Sequence, residues 1–291
     1  GRDPFLIAHL TYSWQYHGVV FCDAYLDGEN RPIVSLNSRD WIDSTSKTQF
    51  EIVQNSRLWG VASFYMPYIA EGGFENKGLN RYPRWQWRMA RQAQSMFAHY
   101  ETATVYEGQG SQVYKAFWKD LLDWGAGNAS TVTFHPYWDN REAITVEEQG
   151  GDTLVSFYRK PGGILLIASN RRREPATLTI HLHLDRLGLS ASPKVRSFDS
   201  SFDAPPGEDY VPTDLKKEIA QIQDTMDERV LGGTRDVGAL GVLLGPDGQL
   251  LLEDPGKKAA QDRAALEPRI ENGNVLILPV RARDFRMVTL E

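Results

Sequence analysis

The feature that most constrains the fold is a change of hydrophobic period partway along the chain. Up to about residue 130, short apolar runs alternate with stretches of helical spacing, whereas beyond "GAGNAST" apolar residues recur at every second position. The tryptophans divide in the same way, since all 8 lie between Trp14 and Trp138 and none follows. Helical and two-residue periods bury different kinds of face, so one layer type cannot serve both halves. Two domains are expected: an α/β unit over 1–130 and an antiparallel β unit over 131–291.

In the first half, residues 4–10 and 18–24 are apolar runs bounded by Pro, His and Gly, as in strands covered on both faces. A helix is expected at about 47–59, followed by a strand in "GVASFYMPYIAEGG" that leads into a glycine-rich loop. Trp85, Met89, Met96, Phe97 and Tyr100 recur at helical spacing between Arg81 and Ala103, with Pro83 suited to the first turn. A second amphipathic helix runs from Ser111 through Val113, Tyr114, Phe117, Trp118, Leu121 and Leu122 to a stop at Gly125.

Alternating strands and helices suit a parallel unit, and a β/α barrel lines its active site with the carboxyl ends of its strands. About three strands precede the β-rich half, while a closed barrel uses roughly eight. The expected fold class is therefore α/β plus all-β: the last strands and helices of a (β/α) barrel, then an antiparallel β-sandwich. The remaining barrel strands are assigned to an upstream segment or a partner chain. The start at Gly1, with an apolar run almost at once, is expected of a processed, excised or partial chain.

The second half reads as the sandwich. "DTLVSFYRKPGGILLIASN" forms a hairpin around Pro161–Gly163, and "ATLTIHLHL" alternates Leu178, Ile180, Leu182 and Leu184 with Thr and His. A helix carrying Leu215, Ile219, Ile222, Met226 and Val230 behind an Asp214 cap interrupts the strands, which resume in "GALGVLLGPDGQLLLED", "NVLILPV" and "DFRMVTL".

Composition excludes several functions. With 41% hydrophobic and 24% charged residues and no apolar run of about 20, the chain reads as globular and not membrane-spanning. A net charge of -6 and a short "RRR" run give no basic stripe for nucleic acid. Cys22 is the lone cysteine, and His181 and His183 have no third ligand and read as a solvent face, so no metal site is expected. No HExxH, GxxxxGK or GxSxG is present, and no cofactor is implied.

The chemistry is sought in "VVFCDAYLDGEN", where Asp23, Asp27 and Glu29 follow an apolar run. Glycoside hydrolysis generally needs two carboxyl groups about 5 to 9.5 Å apart, one protonated and one charged. In an extended loop Asp27 and Glu29 would lie about 7 Å apart; alternatively, Asp27–Gly28 is a turn and Glu29 is solvated. Glu71 repeats the pattern before Gly72 and Gly73, where a ligand can approach backbone closely. Asp23, Glu29 and Glu71 are thus the candidate catalytic residues. His9 and Tyr12 follow the first run, and His9 reads equally as a sugar-hydroxyl partner or a core histidine. Among Trp14, Trp41, Tyr65, Tyr68, Trp85 and Trp87, an aromatic plane can meet the C–H face of a pyranose, and Trp14 and Tyr68 are better placed than Trp85. The substrate-contacting set is His9, Tyr12, Trp14, Asp27, Tyr65 and Tyr68.

"HLTYSWQYHGVVFCDAYLDGE", "WGVASFYMPY", "HPYWDN", "VSFYRKPGGILLIASN" and "VRARDFRMVTLE" together resemble the carboxyl-terminal part of large bacterial proteins related to glycoside hydrolase family 123. The resemblance implies a β/α barrel followed by a β-sandwich, hydrolysis of β-linked N-acetylhexosaminides assisted by the substrate's acetamido group, and a secreted or periplasmic setting. It also implies an adjacent Asp-Glu pair at a barrel strand end. The only such step is Asp227-Glu228, on the helix within the β-rich half, which assigns the acid pair to a segment upstream of Gly1 or to a different arrangement. The alternative reading is a noncatalytic carbohydrate-binding or structural module.

Overall fold

A computed structural model describes residues 5–9, 21–27, 42, 47–54, 62–65, 83–104, 111–147, 152–206 and 266–291. The first half contains a four-stranded parallel sheet in the order β1 (Ile7–His9), β2 (Ala24–Asp27), β3 (Ala62–Tyr65) and β4 (Ala103–Thr104). Helix α1 (Lys47–Gln54) lies between β2 and β3 in the chain, and α2 (Pro83–Phe97) lies between β3 and β4. Each strand pairs with its predecessor in sequence, always in parallel. With right-handed crossovers, such one-directional progression puts successive helices on one face of the sheet. Phe50 of α1 and Phe97 of α2 accordingly meet Tyr65 of β3, with ring centroids 5.8 and 4.9 Å from it.

The parallel sheet differs from expectation at two points. Residues 21–23 form a turn and β2 starts at Ala24, later than the apolar run 18–24 placed it. The two-residue β4 is too short to leave a periodic signal and was not expected. No barrel closure is present among the described residues.

The second half builds two antiparallel sheets. The larger has the order β10 (Val195–Ser197), β13 (Asp284–Leu290), β8 (Gly163–Asn170), β7 (Thr153–Lys160) and β5 (Thr133–His135). The smaller has the order β11 (Arg269–Glu271), β12 (Val275–Val280), β9 (Ala176–Leu182) and β6 (Ile144–Val146). The β7–β8 hairpin turns at Pro161–Gly162, with Lys160 opposite Gly163; Gly162 has φ 80°, a value L side chains rarely adopt. Leu184, expected to prolong β9, instead starts the one-turn α4 (Leu184–Leu187). The helix expected after Asp214 and the strands of "GALGVLLGPDGQLLLED" lie outside the described residues.

The central strands β7, β8 and β13 of the larger antiparallel sheet are buried on both faces. Val155, Phe157, Ile164, Leu166, Ala168, Val288 and Leu290 face a cluster shared with Leu178, Ile180, Leu276 and Leu278 of the smaller sheet. The alternate residues Leu154, Leu165, Ile167, Phe285 and Met287 join α2 and α3 (Ser111–Trp124) in a second cluster that also takes in Phe50 and Tyr65. This explains why β8 reads as a near-continuous apolar run although it is antiparallel: the period of two only decides which core each side chain enters. It also corrects the amphipathic reading of α2, in which Arg91, Gln92, Gln94 and Ser95 are as buried as Met89 and Phe97 because the helix lies between layers.

Candidate functional site

In an α/β sheet, ligands bind beyond the carboxyl ends of the parallel strands. Those ends are His9 on β1, Asp27 on β2, Tyr65 on β3 and Thr104 on β4, with Asp27 opposite Tyr65 and Tyr65 opposite Thr104. His9 and Asp27 therefore occupy neighbouring strand ends, as a site there requires. Tyr65 does not present its ring, which is 1% exposed and enclosed by Phe50 and Phe97. Its place is in the core, not against a sugar.

Asp23 occupies the opposite edge from the one expected, because it precedes β2 instead of ending a strand. Its Oδ2 accepts the Leu6 N–H at 2.7 Å, while its own N–H donates to Leu6 O at 2.9 Å. This reciprocal clasp sets the first rung of the β1–β2 ladder and gives the carboxylate a structural role. Tyr12, Trp14, Glu29, Tyr68 and Glu71, together with Trp41, lie outside the described residues. Trp87 is held in the protein, its Nε1 donating to Ser201 O at 2.8 Å and its ring facing the Arg91 and Arg281 guanidiniums.

A second cluster, absent from the sequence reading, joins α1 to the turn after β5. Tyr137 donates its hydroxyl to Glu51 Oε1, so the Tyr100 hydroxyl, 3.2 Å away, donates to Tyr137. Burial, then the hydrogen bond to Glu51, pushes the Tyr137 phenol well above its ordinary value. Lys47, one helical turn before Glu51, sits 3.4 Å from the same carboxylate oxygen and 5.2 Å from the centre of the Tyr137 ring. Trp138 stacks on Tyr100 at 5.5 Å and 25° and meets Tyr137 edge-on at 4.9 Å, yet remains 39% exposed.

The turn presenting Trp138 is fixed from beneath. Tyr137 N–H donates to Ser156 Oγ at 3.0 Å and Asn140 Nδ2 to Val155 O at 2.8 Å, so both flanks are tied to β7. Ser156 Oγ also lies 2.8 Å from His99 Nδ1 and donates to it, because the single proton of the neutral ring is on the other nitrogen. On the other side of the ring, Ser169 donates to Ser95 O at 2.9 Å and so accepts from His99 Nε2 at 2.7 Å. The partners thereby determine the neutral tautomer with the proton on Nε2. Burial, reinforced by the Arg171 charge, lowers the His99 pKa to about 3.

Arg91 forms the other buried polar centre. Its Nε donates to Asp284 Oδ1 at 2.5 Å, and Nη1 and Nη2 bind the two Asp199 oxygens at 3.1 and 2.8 Å. Further bonds reach Ser201 Oγ and Phe285 O, and the guanidinium lies 4.1 Å from the Phe285 ring centre. Burial alone would lower its pKa, but the two carboxylates outweigh that cost and raise it. Every donor of this arginine has a partner within the protein, so the centre ties α2 to β13 and offers nothing to a substrate.

His181 and His183 remain partly solvent-exposed beside Glu147 and Thr145. Among the described residues, no three His, Cys, Asp or Glu side chains converge as a metal site, and no helix is long and apolar enough to cross a membrane. No family model, curated protein or solved structure matches the chain.

Proposed function

We propose that this chain is part of a glycoside hydrolase, its parallel sheet contributing strands to a β/α barrel and its two antiparallel sheets forming a supporting β-sandwich. The observation that supports this reading best is the one-directional order β1-β2-β3-β4, with His9 and Asp27 on adjacent carboxyl ends. A sheet that winds in one direction, with helices on one face, leaves the other face to be covered, and barrel closure is the standard way to do so.

In this reading Asp27 replaces Asp23 as the carboxylate of β2, with Glu29 and Glu71 in the segments after β2 and β3 as its partners in the acid and base roles. His9 would bond a sugar hydroxyl or orient Asp27. The substrate class is a β-linked glycan. The test is glycoside turnover by the complete protein carrying Asp27→Asn or Glu71→Gln. A loss of roughly a hundredfold or more in kcat with unchanged melting is expected, since general acid–base groups contribute about 10²- to 10⁴-fold. Wild-type kinetics in both variants would remove these residues from the site.

A second reading, a noncatalytic carbohydrate-binding module, is favoured by the exposed indole of Trp138 on its fixed turn. That arrangement serves binding without any chemistry, and carboxylate substitutions on the parallel sheet would then leave glycan affinity unchanged.

A further inference from the structure

We infer that Trp138, with Glu51 and Lys47, forms a stacking subsite for one neutral pyranose unit. For the ligand class this rests on the carbohydrate reading above, whereas the location rests on the contacts of Trp138 and not on His9 or Asp27.

One indole face lies against Tyr100, and 39% of the residue remains open to solvent. An aromatic plane partly open to water, with its other side packed, suits the C–H face of a sugar ring. Position matters as much as exposure. The turn is tied to β7 through Tyr137 and Asn140, so little ordering remains to be done on binding.

The polar rim decides the charge of the ligand. Glu51 provides acceptor oxygens and Lys47 provides donors, both about a third exposed or less and 3.4 Å apart. A cationic ligand, which aromatic rings beside a carboxylate would otherwise attract, meets the Lys47 ammonium already lying over Tyr137. An anionic ligand meets Glu51. A neutral polyhydroxylated ring can accept from the one and donate to the other.

The full chain should be titrated by calorimetry with cellotetraose and with tetra-N-acetylchitotetraose, alongside choline and glucuronate. Binding of at least one neutral tetrasaccharide, and of neither charged probe, is expected. Trp138→Ala should weaken that binding about tenfold or more, a stacking interaction of about 1.4 kcal/mol, whereas Trp138→Phe should retain most of it. Melting temperatures close to wild type should show that both variants fold, and Glu51→Gln supplies an independent probe of the rim, with a smaller loss. Unchanged tetrasaccharide affinity in Trp138→Ala overturns the subsite while leaving the glycan reading intact. Failure of the wild-type chain to bind either tetrasaccharide at millimolar concentration also overturns it, and turnover by the complete protein then decides the broader reading separately.

Discussion

The two sheet systems resolve the same problem differently. In the antiparallel half every residue of β8 and β13 is buried, and each apolar side chain has a core on its own side of the sheet. Around β1 and in the turn before β2, Phe5 is 65% and Phe21 84% exposed, with Leu6 and Ile7 about half exposed. Among the described residues β1 pairs with β2 alone. One region completes its own burial within the chain. The other carries the apolar content of a covered strand without the cover, as an open edge of a parallel sheet does.

The antiparallel region is most tightly built around Arg91. Arg91→Ala leaves Asp199 and Asp284 buried without their guanidinium, and removing one partner of a buried ion pair costs about 3–5 kcal/mol. Urea unfolding should show this as a lower midpoint with an unchanged slope. A midpoint within error of wild type would mean that the α2–β13 tie is not rigid.

The next effect depends on pH. His99 has its folded-state pKa depressed to about 3 by burial and then by Arg171. The unfolded chain therefore binds the extra proton first, and stability contributed by the neutral ring is full above about pH 6.5 and lost as pH falls towards 3. From pH 7 to pH 5 the loss from this group is about 2 kcal/mol. Unfolding midpoints at the two pH values should differ less in His99→Asn than in wild type; an equal difference would mean that other groups carry the acid sensitivity.

The exposed side chains around β1 carry the smallest expected effect. Ile7→Thr and Phe21→Ser change exposed side chains, so stability should shift by no more than about 0.5 kcal/mol. Self-association in sedimentation should decrease, because an exposed apolar edge is an aggregation template. A large loss of stability would show that this edge is buried in the working molecule.

The antiparallel half was the more legible in sequence. The hairpin at Pro161–Gly162 and the runs forming β12 and β13 carry local signals, namely a turn with its glycine and an uninterrupted β-pattern. The parallel half was legible in kind but not in register. Shifting the start of β2 moved Asp23 from the site edge to the opposite edge, and a residue's chemistry there follows from its strand boundary, which is the least local property of a short strand. Glu51 and Trp138 had no mutual signal, being separated in the chain and joined through Tyr137 and Tyr100. A clue to the His99 site did exist: Ser156 and Ser169 interrupt the apolar side of β7 and β8 that faces α2, and a hydroxyl in such a place requires a partner.

That serine pair has a spectroscopic consequence. The imidazole proton between His99 and Ser169 is enclosed by the helical layer on one side and the sheet on the other, so solvent can reach it only when those layers part. Its nuclear resonance should exchange with deuterium at the pace of that separation, making one ring proton a clock for how often the interior opens.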